Sequence, residues 1–157
     1  MFRILRHSHM AMGESEAVRL LEEGDYAIVS VHSPTGYPYG FPMSYVVLDG
    51  QLYFHCALVG HKMECLAHSE KVSFTVVGRT KSVPENLDVY YESVVGFGLA
   101  RPVEGSEKER ALMALVAKYA PGFEEKGRKS LEDEFDVTTV IRIEIEHLTG
   151  KRRGWDR

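Results

Sequence analysis

The feature that most constrains this fold is a two-residue turn, Asp49-Gly50, set between two β-prone runs: YGFPMSYVVL at 39–48 and QLYFHCAL at 51–58. An Asp-Gly pair between extended apolar runs is a strong hairpin signal, because the favoured two-residue turn needs positive φ at both central positions. The two runs therefore pair antiparallel. Further strands are expected at 25–32 (DYAIVSVH) and at 71–77 (KVSFTVV), where Val72, Phe74 and Val76 share one face. Another is expected at 94–103, broken by Gly96 and Gly98, and a last one at 140–146 (VIRIEIE), with Ile141, Ile143 and Ile145 opposite Arg142, Glu144 and Glu146. SPTGYP at 33–38 is a cluster of turn formers.

Helical periodicity appears in three places. Ala17, Leu20 and Leu21 share a face over 14–23, and Gly24 stops the run. Met63, Leu66 and Ala67 form an apolar stripe in a short helix that starts at His61. Ser106 and Glu109 have the spacing of a capping box ahead of ALMALVAKY, where Leu112, Leu115, Val116 and Tyr119 recur at helical spacing until Pro121-Gly122. Six closely spaced, mostly sequential strands with few helices predict a mainly β fold, a closed six-stranded antiparallel barrel with flanking helices, because small β domains remove their edges by closing. At 157 residues, 1–157 is expected to be a single domain.

Composition narrows the partners. The net charge of -4 is spread along the chain and gives no basic footprint for nucleic acid or anionic lipid. No segment approaches the ~18 consecutive apolar residues of a membrane helix. Two cysteines, Cys56 and Cys65, make no disulfide framework, and MFRILRHSHMAMGES lacks the apolar core of a signal peptide, so a cytoplasmic location and a small-molecule partner are expected.

The chemistry concentrates in YFHCALVGHKMECL, residues 53–66. Alternation along the strand puts Tyr53, His55 and Ala57 on one face and Leu52, Phe54 and Cys56 on the other. Gly60 then allows close backbone approach, and His61 and Lys62 fall in the first turn of the helix, where unpaired amides and the positive end of the macrodipole favour an anion. Basic residues at that position suit a phosphate; the alternative is a pair of solvated surface side chains. His55, Cys56, His61 and Cys65 contain no C-x-x-C pair, and adjacent strand residues point to opposite faces, which argues against a zinc set. Nothing fixes a base beside Cys56, so it reads as a small hydrophobe before it reads as a nucleophile. GFGLAR at 96–101 lacks the last glycine of a dinucleotide fingerprint and does not open a helix.

The order GYPYGFPMSYVVLDGQLYFHCALVGHKMECL, KVSFTVVG, YYESVVGFGLARPVEGSEKERAL, KYAPG and IEIEHLTGK resembles the pyridoxamine 5'-phosphate oxidase-like flavoproteins, in the branch related to nitroimidazole-resistance (Nim) proteins, over about 14–155. The resemblance implies an FMN-binding split barrel, usually a homodimer with FMN at the subunit interface. It implies that Gly60, His61 and Lys62 hold the FMN phosphate, that Pro42, Met43 and Ser44 run along the isoalloxazine edge, and that His55, Cys56 and Ala57 line the flavin from the neighbouring strand. His55 is the implied proton-handling, catalytic residue. Ser93 and, from the TGKRRGW tail, Lys151 and Trp155 would reach the flavin of the partner. The irregular RHSHMAMG departs from the family's basic N-terminal segment, so no role passes to Arg3 or Arg6. The implied function is a flavin-dependent reductase of a small electrophile such as a nitro-aromatic, with no metal; the alternatives are a flavin-binding or redox-sensing module without turnover, or a haem-binding barrel. No basic cluster is present for a second phosphate, which disfavours pyridoxine-phosphate oxidation.

Overall fold

In the computed structural model, which describes residues 2–155, the chain forms α1 (Glu14–Glu23), β1 (Ala27–His32), β2 (Pro38–Met43), β3 (Val46–Leu48), β4 (Gln51–Ala57), α2 (His61–His68), β5 (Lys71–Val83), β6 (Asp88–Val103), α3 (Gly105–Tyr119), α4 (Glu124–Glu134) and β7 (Thr138–Arg153). The turn at Asp49 (φ 49°) and Gly50 (φ 74°) joins β3 to β4, whose register pairs Leu48 with Gln51.

The described residues form seven strands, not six, because the run at 39–48 breaks at Ser44-Tyr45. Tyr45 is fully buried and leaves the ladder for other partners: its hydroxyl donates to the Leu21 carbonyl of α1, and its N–H donates to the Tyr119 hydroxyl at 3.0 Å.

The ladder runs β2-β1-β5-β6-β7-β4-β3, antiparallel throughout, and it does not close. The closure expected from the strand spacing is therefore absent, and the sheet is the split barrel that the resemblance implies. Its two edge strands, β2 and β3, are neighbours in sequence. Laid flat, seven strands would span roughly 29 Å from edge to edge at ~4.8 Å per spacing. The link from Met43 to Val46 reaches about 11 Å at most. The sheet has to curl until its edges face each other across an unpaired seam. Pro38 and Pro42 lie on β2, and prolines are tolerated at such an edge because their missing N–H faces away from the partner strand.

Inside the curl, Val29, Phe41, Phe54, Phe74, Val94, Ile141 and Ile143 form one core with Ala17, Leu20 and Leu21 of α1. Phe54 and Phe74 are fully buried, and each such side chain stabilises the fold by ~1.5–3 kcal/mol. Gly96 does not break β6; it makes room for the Phe74 ring, which a β-carbon there would approach to 2.0 Å. Outside the curl, Tyr53, Val103 and Val140 pack with Ala111 and Leu115 of α3 in a second cluster. β4 thus keeps the expected alternation, with Leu52 and Phe54 inward and Tyr53 under α3.

Two helical expectations need correction. α3 starts at Gly105 with Glu104 as its uncapped N-terminal flank, so Ser106 lies inside the helix and forms no capping box. α4 has no apolar periodicity, since EEKGRKSLEDE offers Leu131 alone, and it is held by folding back on α3.

Candidate functional site

β4 delivers two faces to the same end of the sheet. After Ala57 the chain passes Leu58 and Val59 and turns at Gly60, whose φ of 122° and ψ of 173° belong to a region open essentially to glycine alone. A β-carbon at Gly60 would meet nothing within 4 Å, so the demand there is conformational, and the space beside the backbone is open.

The first helical bond of α2 runs from the Glu64 N–H to the Gly60 carbonyl at 3.1 Å. The amides of His61, Lys62 and Met63 therefore lack intrahelical acceptors, and no side chain caps them. Lys62 extends back over the seam to β2: its Nζ lies 3.2 Å from Met43 Sδ and 4.7 Å from the centre of the Phe41 ring. Among the described residues no carboxylate lies within 4.0 Å of it. Its charge reaches both His55 and Cys56, where it favours the deprotonated form.

His61 is arranged differently. Its ring sits 4.8 Å from Tyr39, and its two nitrogens face Glu64 Oε2 at 3.4 Å and Cys65 Sγ at 3.6 Å. Cys56 points to the core side, 3.6 Å from Met63 Sδ, and burial raises its thiol pKa.

His55 stands on the opposite face of β4 and opens into a cleft of about 400 Å³ between the end of the sheet and the α3–α4 pair. Ser44 shares this cleft, so the seam and the imidazole meet there. Desolvation lowers the His55 pKa, with Glu134 acting against that shift and Lys62 reinforcing it. The neutral form of the imidazole is thereby favoured, although its side chain stays open to the cleft.

Ser93, Lys151 and Trp155 lie elsewhere. Ser93 pairs with Lys151 across β6 and β7, and Trp155 meets Tyr90 edge-on while the Arg79 guanidinium lies 4.6 Å above its ring. His55 pairs with Val140, and Lys151 is eleven residues further along β7, a contour of about 36 Å. Within one chain, these three residues and the Lys62 group do not share a site. The indole Nε1 of Trp155 is buried without a hydrogen-bond partner among the described residues.

Sequence reasoning missed α4 and with it Leu131, Glu134 and Phe135, which wall the His55 cleft. The i,i+4 pair Leu131 and Phe135 was the one available signal.

A family model described as pyridoxamine 5'-phosphate oxidase matches residues 13–152. The chain belongs to this family. Among solved structures, members of the same fold include a Bacteroides thetaiotaomicron protein whose suggested role is 5-nitroimidazole antibiotic resistance (21% identity, 90% of this chain and 86% of that chain, TM-score 0.74). The flavocytochrome Anf3 from Azotobacter vinelandii aligns at 21% identity over 98% of this chain and 73% of that one, with a TM-score of 0.81. The FAD and heme binding protein from Mycobacterium smegmatis aligns at 20% identity over 94% and 76%, with a TM-score of 0.79. At these identities the likeness establishes the split-barrel fold of the pyridoxamine 5'-phosphate oxidase family. No curated protein matches the chain. Among the described residues, no helix is long and apolar enough to cross a membrane.

Proposed function

We propose that this family member is an FMN-binding flavoprotein that acts as a reductase of a small electrophile such as a nitro-aromatic. The observation that carries the reading is Lys62: an ammonium without a carboxylate partner among the described residues, beside three unpartnered helix amides and the open backbone at Gly60. A phosphate satisfies all of these groups at once. The family membership and the neighbours named as a flavocytochrome and as an FAD and heme binding protein support a flavin, and the absence of a second such cluster among the described residues favours the single phosphate of FMN.

In this reading Pro42, Met43 and Ser44 border the isoalloxazine along the seam, with Cys56 and Ala57 behind it. FMN, when bound, supplies the electron pair. The chain's own contribution is to orient it and to handle the proton. His55, whose neutral form is favoured by desolvation, takes up or returns that proton at its ring nitrogen. Ser93, Lys151 and Trp155 reach the same flavin from a second subunit; a homodimer accounts for why they are remote from Lys62 within one chain and for an indole of Trp155 that has no partner among the described residues.

The test is the visible spectrum of the purified protein before and after adding FMN, with acid release of any ligand. Flavin bands are expected; a Soret band would replace the reading with a haem one. Lys62→Ala is expected to weaken FMN binding by about 1.5–3 kcal/mol, the range for a hydrogen bond to a charged group. Unchanged affinity would remove the phosphate assignment. His55→Gln is expected to keep FMN and slow reduction of a nitro-aromatic; equal rates would return His55 to a lining role. Sedimentation of the FMN-loaded protein as a monomer would take Ser93, Lys151 and Trp155 out of the site.

A further inference from the structure

The His55 cleft has a chemistry of its own. Its walls are Leu112, Leu115 and Val116 of α3 and Leu131 and Phe135 at the α4 end, so most of its lining is apolar. The ionisable side chains along it are His55, Tyr119 and Glu134, and none is a lysine or arginine.

The Tyr119 hydroxyl is already engaged. It donates to the Asp25 carbonyl at 2.6 Å and accepts from the Tyr45 N–H at 3.0 Å. Glu134 makes no ion pair among the described residues, and its charge is felt at His55 across the cleft. The one fixed formal charge in the lining of this apolar pocket is therefore negative, while Lys62 acts on His55 from outside the lining. The volume of about 400 Å³ lies in the range of small-molecule sites.

We propose that this cleft is the substrate pocket of the flavin site and that Glu134 makes it select by charge, admitting neutral or cationic small aromatic molecules and rejecting anionic ones. The inference rests on the flavin reading above and adds the class of substrate that can reach His55. An anion here would lie against apolar walls and face the Glu134 carboxylate with no lysine or arginine in the cleft lining to offset it, a cost for which the walls offer no compensation. An ammonium-bearing ring gains from the same carboxylate, and a neutral ring gains from the walls alone. Phosphorylated and carboxylated rings are excluded, whatever their fit to the walls. Glu134 is thus a specificity-determining residue, acting on the substrate's charge and not on electron transfer.

The test uses three probes with the same nitrophenyl ring: 4-nitrobenzylamine as the cation, 4-nitrobenzyl alcohol as the neutral molecule and 4-nitrobenzoate as the anion. Their binding to the FMN-supplemented protein is measured by equilibrium dialysis at neutral pH. Flavin content is read from the visible band of the same samples, so loss of the flavin reading and loss of this one are seen separately.

The amine and the alcohol are expected to bind, and the benzoate to bind about three- to fivefold more weakly, the size of one charge contact at a solvent-exposed carboxylate. Glu134→Gln lies on an exposed surface where folding is not at stake. It is expected to collapse the amine-to-benzoate difference while leaving binding of the alcohol unchanged. Leu131→Trp fills the cleft and is expected to abolish binding of all three probes with the flavin band retained. Equal binding of benzoate and amine, an unchanged preference in Glu134→Gln, or full probe binding in a folded Leu131→Trp protein would each overturn the proposal, whether or not flavin is present.

Discussion

Two charged regions of this molecule look alike in sequence and differ in what they leave unsatisfied. At the far end of the sheet, Glu92 accepts from Arg79 at 2.9 Å and from Arg152 at 3.2 Å, and Arg152 also reaches Glu16 at 2.9 Å. Two guanidiniums meet two carboxylates, and the Glu92 and Arg152 side chains are only 10% and 13% exposed. At the near end, Lys62 leans on a thioether and an aromatic ring beside unpartnered amides. The first region is complete within the chain and reads as architecture. The second is complete only with an anion added. Lys118 refines the rule: it too lacks a carboxylate contact among the described residues, but the carbonyls of Gly24 and Tyr45 accept from it at 2.7 and 3.1 Å, so its donors are used. Unsatisfied hydrogen-bonding capacity, more than uncompensated charge, separates a site from a strut.

The comparison can be broken at its strongest point first. Glu92→Leu strands two guanidiniums and should destabilise the fold by about 3 kcal/mol in denaturant unfolding, the low end for breaking a buried ion pair because Arg79 is largely exposed. A loss below about 0.5 kcal/mol, the size of an ordinary surface change, would remove the architectural reading. Lys118→Met should cost about 2 kcal/mol, since it deprives two carbonyls of their donor.

Acid sharpens the same contrast. Hydrogen bonding from Arg79, foremost, holds the Glu92 carboxyl below its ordinary value of 4.5, so the unfolded chain takes up this proton more readily than the folded one. The stability that Glu92 contributes is full above that value and fades as pH falls through its lower folded value. Stability of the wild type should therefore drop below pH 4.5 more steeply than that of Glu92→Leu. The smallest expected effect is at the near end: Lys62→Ala should leave the stability of the ligand-free protein within about 0.5 kcal/mol while reducing FMN affinity.

Much of the fold was legible because one face of each strand is buried. Val72, Phe74 and Val76, or Ile141 and Ile143, announce themselves by alternation, and Asp49-Gly50 announces its own turn. The break at Ser44-Tyr45 was hidden because Tyr45 suits a strand and leaves the ladder only through contacts with Leu21 and Tyr119, far away in sequence. α4 was hidden for the opposite reason: its position comes from α3, not from a pattern of its own. In the candidate site, the β4–α2 stretch was local and readable. The cleft that gives His55 its surroundings is assembled from residues some sixty to eighty positions away, and no local spacing encodes it.

The prolines on β2 bear on how copies of this protein behave in crowded solution. Along the seam-facing side of that strand, Pro38, Gly40 and Pro42 alternate, and only Gly40 brings an N–H. A stray strand from another molecule that tried to extend the sheet there would find carbonyls to donate to and almost nothing donating back. The open seam is thereby protected against runaway polymerisation, and replacing both prolines with residues that carry an N–H should turn a tolerated gap into a nucleus for edge-to-edge assembly.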